Sequence, residues 1–411
     1  MDATTHPPVA QPHPLPDDRL ARKNALVLAV AQALAGGNNT VVLATGGILG
    51  AMLAPNRALA TLPISIYVLG LWLGSLPFGK LARLFGRRAA FQVGTLCGVL
   101  TGLICYVAVI QGSFLIFNIG TFFSGLYASA HLAYRFAAAD TASEAFKPKA
   151  ISWVLIGGVF AGVIGPQVVI FTKDLWPPYL FAATFLAQSA LAAISAGVLM
   201  LVKIPAPPRK PPEGEGRPIL EIARQPRFIV AVACGVASYS MMNMVMTSAP
   251  LAMVLCNHTI GEATLGLQWH VLGMFLPSFF TGTLIARFGL ERVVVAGFLL
   301  LMLSAGVSMS GITVPHFWLG LVLLGLGWNF SFIGATTMVT ACHRPNERNR
   351  VQSFNDFLVF GAMAIGSFSS GTLLEVYGWS TVNEVVFPVV LTAAGLLAWG
   401  TLRERSTPKA A

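Results

Sequence analysis

Charge is what this 411-residue chain is short of: Asp, Glu, Lys and Arg make up 10% of it, against 55% hydrophobic residues. Soluble domains carry about 25% charged residues, so a soluble fold is excluded and an all-α, polytopic membrane protein is indicated. The mean hydropathy of +0.72 agrees. Cysteine is scarce as well, with five residues in or beside apolar stretches and no CxxC spacing, which excludes a disulfide framework and a zinc motif. No Ser/His/Asp triad, phosphate loop or pair of catalytic carboxylates can be assembled, so neither an enzyme nor a prosthetic group is expected. The net charge of +10 would suggest nucleic acid on a soluble surface; here its placement gives it another meaning, and no nucleic-acid partner is expected.

What is present is apolar sequence in long runs. Twelve segments of spanning length are expected at roughly 25–50, 61–82, 89–111, 113–136, 150–171, 178–201, 228–255, 263–285, 291–311, 316–339, 351–374 and 381–401. On this map 24 of the 26 Lys and Arg residues fall in the tails and alternate loops, leaving Arg57 and Lys173 for the opposite face. The positive-inside rule then places both termini in the cytoplasm. Residues 1–23, rich in Pro with His6 and His13, have too little apolar content to pack and form a cytoplasmic tail. They carry no small-residue cleavage signature, so no removable signal peptide is expected. A Pro/Gly/charge linker at 203–226 separates a six-helix half at 24–202 from a second at 227–402, and residues 403–411 form the C-terminal tail.

The stretch Met241-Met242-Asn243-Met244-Val245-Met246, followed one segment later by His270-Val-Leu-Gly-Met274, holds two i, i+4 pairs, Met242/Met246 and His270/Met274. Each pair points from one face of its helix. At 1.5 Å per residue, Met246 lies about 15 Å and His270 about 10 Å below the outer ends of their helices, near mid-membrane. Thioether sulfur and imidazole nitrogen suit Cu(I), so these four residues are the candidate metal ligands of a transporter. The same methionines are also ordinary gap-fillers of apolar helices. Met253, Cys256 and His258 at the outer end of that segment, and Cys234 nearer its inner end, are candidate stations on an accessory metal path.

No Lys, Asp or Glu falls in the middle of any span. A pore without charge suits a soft monovalent metal, and equally a neutral organic solute. Gly36-Gly37-Asn38-Asn39-Thr40 brings polar groups to mid-membrane, where they either open the helix toward a cavity or bond a neighbouring helix. Asn243, Gln268 and Asn329 share that ambiguity. His131, Tyr134, Arg135 and Asp140 gather at the inner end of segment 4, and Asp356 near the start of segment 11 suggests a gate salt bridge with an arginine.

The halves repeat each other. Gly79-Lys-Leu81-Ala-Arg-Leu-Phe85-Gly86 matches Gly282-Thr-Leu284-Ile-Ala-Arg-Phe288-Gly289 at an offset of 203 residues. With Arg87 and Arg88, the first copy resembles the loop 2–3 signature of the major facilitator superfamily, Gly-x-Leu-Ala-Asp-Arg-x-Gly-Arg-Lys, with Arg83 in place of the acidic residue. That resemblance implies twelve transmembrane helices in two pseudo-symmetric six-helix halves. The drug-antiporter signature of segment 5 is only partly matched, by Gly162-Val-Ile-Gly165-Pro166, which lowers the expectation of drug/proton antiport.

Within the superfamily, MxxxM in segment 7 and HxxxM in segment 8 resemble the CcoA-like copper importers. The resemblance implies import of copper ion across a bacterial cytoplasmic membrane to supply cytochrome oxidase assembly. A cytoplasmic copper chaperone or exporter and the lipid bilayer are the partners it implies. The alternative is an importer of riboflavin or another neutral organic solute, in which Asn243, Gln268 and Asn329 orient the ring and the methionines pack around it. A membrane metal sensor is the reading from another class.

Overall fold

The computed structural model describes residues 18–143, 146–204, 216–344 and 347–406. The N-terminal tail to residue 17 with His6 and His13, residues 205–215 of the linker and residues 407–411 lie outside the described residues.

The first half consists of α1 (Arg19–Leu53), α2 (Leu62–Phe85), α3 (Arg87–Gln111), α4 (Phe114–His131), the short α5 (Tyr134–Ala139), α6 (Lys147–Thr172) and α7 (Ala182–Leu199). A short α8 (Ile219–Ala223) leads into the second half: α9 (Pro226–Leu255), α10 (Ile260–Phe275), α11 (Ser278–Phe288), α12 (Leu290–Ser310), α13 (Val314–Thr340), α14 (Arg348–Glu384) and α15 (Val386–Ser406). Among the described residues nine helices are long and apolar enough to cross a membrane, and the α10/α11 pair, bent by 43°, makes a tenth. The last of the nine, Arg350–Arg403, is two spans, because the chain reverses at Gly378, whose φ of 83° a side chain would resist. With the 18-residue α4 the spans number twelve.

Segment 8 departs from its sequence reading: it is two helices rather than one. Pro277 has no N–H to continue the ladder, and Asn329 of α13 takes up the freed groups. Its Nδ2 donates to the Met274 carbonyl (2.6 Å) and to Ser278 Oγ (2.8 Å), while its Oδ1 accepts from Thr281 Oγ1 (2.6 Å). Asn329 therefore holds a bend.

The repeat is visible in the backbone. Gly86 and Gly289 both adopt positive φ, 86° and 90°, where the chain turns sharply from α2 to α3 and from α11 to α12. Helix crossings repeat as well: a Cβ on Gly125 would lie 2.0 Å from the Tyr67 carbonyl oxygen, and one on Gly325 would lie 2.4 Å from that of His270. Small residues let α4 close on α2 and α13 close on α10. Tyr67 and His270 are 203 positions apart, so His270 occupies in the second half the place Tyr67 holds in the first. Between the halves, α1 packs on α9, α2 on α14, and α6 on α10.

Candidate functional site between the halves

An apolar cluster spans the two halves, joining Val42, Tyr67, Leu71 and Ala128 of the first to Val359, Phe360 and Met363 of the second. Against it stand aromatic rings from four helices. Tyr239 of α9 meets Trp328 and Phe332 of α13 edge-on at 5.4 and 4.9 Å, and Phe360 of α14 at 5.7 Å. Trp328 and Phe332 lie nearly parallel, 17° apart at 5.2 Å, and Phe275 of α10 closes on Trp328 at 6.4 Å. Across the halves Trp72 of α2 packs on Phe357 of α14 at 5.1 Å.

The helices that carry these rings also carry buried polar atoms without partners. They include the Trp72 and Trp328 indole Nε1, Ser240 Oγ, Asn243 Nδ2, Thr247 Oγ1 and His270 Nε2. Ser240, Asn243 and Thr247 fall at i, i+3 and i+7 on one face of α9. Buried polar groups are nearly always paired, so the unpaired ones on these helices are available to a ligand. Donors and acceptor are distinct. His270 Nδ1 is 2.8 Å from the Leu321 carbonyl oxygen; a carbonyl can only accept, so Nδ1 bears the hydrogen and Nε2 of the neutral ring presents a lone pair. The indoles and the Asn243 amide nitrogen donate. The site can thus hold a flat, uncharged aromatic body with a mixed donor and acceptor edge.

The halves are joined differently at their two ends. Ser65–Ser367 (3.1 Å), Thr61–Ser370 (3.2 Å) and Gln167–Gln268 (2.8 Å), the described hydrogen bonds that cross between them, all lie in the half away from the basic loops. Toward the basic end the crossing is aromatic, through Trp72 and Phe357. Arg135 and Asp356 sit there within electrostatic reach of each other and of Tyr239, yet Arg135 Nε is buried without a hydrogen bond.

The residues singled out from the sequence are distributed as follows. Met242, Met246, His270 and Met274 are all buried, with exposures of 1, 6, 0 and 8%; the three methionines belong to the largest apolar cluster, which draws residues from both halves. No group of three or more His, Cys, Asp or Glu able to hold a metal occurs among the described residues. Met253 and Cys234 are buried, Cys256 is half-buried, and His258 Nε2 lies 2.6 Å from the Ile312 carbonyl, tying down a loop. Helix α1 runs unbroken through Gly36–Thr40, and its amides bond neighbouring helices. Asn38 and Gln188 exchange hydrogen bonds at 2.8 and 3.0 Å, and Asn39 Nδ2 lies 2.6 Å from His131 Nε2. Asn243 faces the site unpartnered, whereas Gln268 serves the far-end crossing. Arg87 of the loop motif, with Arg83 where an acidic residue was expected, finds its carboxylate on Asp140 instead (NH2 to Oδ1, 3.1 Å). Sequence reasoning missed Tyr239, Trp328, Phe332, Phe360 and Trp72. Their signal, aromatic residues interleaved with polar ones in mid-span, is hard to separate from ordinary lipid-facing aromatics.

Two apolar, mutually repeating six-helix halves around an uncharged interfacial site define a secondary transporter, and comparison with known proteins gives the family. The profile of the Major Facilitator Superfamily matches residues 28–267 and 232–411, and the chain belongs to that superfamily: it is a multi-pass membrane transporter, not an enzyme. It is 48% identical over 377 residues to riboflavin transporter RfnT of Brucella anthropi, covering 91% of this chain and 94% of that one. It is 25% identical over 402 residues to the uncharacterized MFS-type transporter YdeG of Bacillus subtilis, with 92% and 93% covered. Among solved structures, nucleoside transporter NupG superposes with a TM-score of 0.73 at 13% identity over 93% of this chain and 100% of that one. An inward-facing, unoccupied bacterial homologue of the human lysosomal transporter Spinster gives 0.68 at 14% over 96% and 100%.

The first relative overturns the copper reading. Copper import for cytochrome oxidase assembly is corrected, and the reason for expecting a copper chaperone or exporter goes with it. The physical reason is that thioether and imidazole groups are ambiguous. Methionine fills gaps in apolar helices as readily as it ligates, and a neutral imidazole nitrogen accepts a hydrogen bond as readily as it binds a metal.

Proposed function

We propose that this protein imports riboflavin by alternating access, with its basic end and both termini in the cytoplasm of a bacterium and its spans in the inner membrane. The observation that carries the reading is the 48% identity to a riboflavin transporter over nearly the whole of both chains. The chemistry of the site supports it. Riboflavin has a flat three-ring system suited to Trp328, Phe332 and Tyr239, and apolar methyl groups suited to the Met242, Met246 and Met274 side chains. Its pyrimidine edge carries an N–H for the His270 lone pair and carbonyls for Asn243 and the indoles. The ribityl hydroxyls match the serine and threonine groups of α9. In the structure, hydrogen bonds latch the halves together at the end away from the basic loops.

The test is uptake of tritiated riboflavin by a riboflavin-requiring strain that lacks an importer of its own. Cells expressing this protein should accumulate label above the empty-vector control, and unlabelled riboflavin, not copper, should compete. Absence of accumulation with the protein present in the membrane would overturn the proposal.

A further inference from the structure

Where two repeated halves differ, the difference is informative. In the first half the basic end between the start of α1 and the end of α7 is plugged by Asn24, which is fully buried. Its Nδ2 donates to the Lys203 carbonyl (2.9 Å) and Thr141 Oγ1 (3.2 Å), and its Oδ1 accepts from the Lys203 N–H (3.0 Å). The residue 203 positions later is Arg227, and beside it the second half holds an open cavity of about 310 Å³ between the ends of α9, α12, α13 and α15. Its wall is apolar and buried (Val230, Met338, Leu397), and its rim carries Arg227, Arg403 and Glu291.

Two guanidiniums over an apolar pocket form a specific kind of receptor. Each guanidinium has five donors in a rigid fork, so it can serve another partner and still offer a bidentate face to phosphate oxygens. The first turn of α9 adds to the positive potential, because its N-cap Gln225 supplies no capping hydrogen bond to the amides there. Arg403 lies over Trp399, 5.4 Å from the ring centroid, which restrains the side chain at the membrane surface.

We propose that this cavity binds a phosphate ester, its oxygens on Arg227 and Arg403 and its carbon-bearing part against Val230, Met338 and Leu397. The source is either the headgroup of an anionic phospholipid or a free phosphate ester. Binding here is independent of the cargo and is measured without transport.

The purified full chain is titrated separately with dihexanoylphosphatidylglycerol and with glycerol 3-phosphate while Tm is followed. The wild type should show a saturable rise, and R227Q/R403Q should need at least ten times more ligand for the same rise. L397W fills the pocket while leaving both charges, so it decides the matter should the double variant fail to fold; it should show the same loss. A rise with the lipid alone assigns the headgroup, and a rise with both assigns the phosphate ester itself. No saturable rise with either, or a rise undiminished in the variants, overturns the site.

Discussion

Trp328 meets three other rings in the proposed flavin site, stacked on Phe332 and met edge-on by Tyr239 and Phe275. Removing it deletes an aromatic partner worth about 1 kcal/mol beyond area burial. W328A should therefore raise the riboflavin Kd at least about fivefold, with W328F between it and the wild type, as read by tryptophan or flavin fluorescence titration. An unchanged Kd in W328A would move the site elsewhere. His270 allows a sharper test. Its Nδ1–H is engaged by Leu321, so H270A loses a structural bond and a cargo acceptor together. H270Q keeps a donor and an acceptor, and is expected to fold like wild type while weakening riboflavin and lumichrome, which lacks the ribityl chain, equally, because Nε2 meets the ring edge; a loss confined to riboflavin would place Nε2 on the ribityl hydroxyls instead. At this scale the sequence was half legible. It singled out His270 as a metal ligand and Asn243 as a cavity residue, because a polar group in mid-span is costly and needs a purpose. It did not distinguish ligand from lining for Met242, Met246 and Met274, because a thioether is both a soft donor and an apolar filler.

Between residues and the whole, the segments entering each half are tied to the loop before the fifth helix of that half. Asp18, at the start of α1, accepts from the Ser143 N–H (2.9 Å) and Oγ (2.7 Å). Arg217, ahead of α9, donates from Nε and NH2 to Glu347 at 3.0 and 2.8 Å, and Glu347 also accepts from the backbone N–H of Arg344 and Arg217. The Arg217 guanidinium and these amides hold the Glu347 carboxyl well below its ordinary value of 4.5. Because the folded-state value is the lower one, the tie is fully present above about pH 4.5 and is lost as pH falls below it. Wild-type Tm should accordingly drop on acidification below that point. E347Q should start several degrees lower at neutral pH and show a flatter decline; a parallel decline would mean another group dominates. Element existence was readable because spanning runs are long, whereas the break at Leu276–Pro277 was not. Proline is tolerated in spans when a neighbour supplies the missing partner, and that neighbour, Asn329, lies 52 positions away.

For the molecule as a whole, the repeat with its offset of 203 residues, the family signature at Gly79–Arg88 and the basic loops made the architecture legible. The cargo was not, since cargo is set by side chains that meet only when the two halves close on each other. Transport requires the far-end latch to open. Ser65 of α2 and Ser367 of α14 bring their oxygens to 3.1 Å across the halves, near enough for a cysteine pair at those positions to bridge after small rotations. Four of the five native cysteines are buried and Cys256 is half-buried, so C256S is a suitable background. Oxidised S65C/S367C/C256S should lose nearly all riboflavin uptake in intact cells, because the outer end can no longer part, and a reductant should restore it. Riboflavin binding to the purified oxidised protein should persist, since Ser65 and Ser367 are not among the side chains of the proposed ring site. Uptake continuing at full rate through a verified crosslink would show that the halves do not separate there, and the rocking of α2 against α14 would have to be replaced by another path.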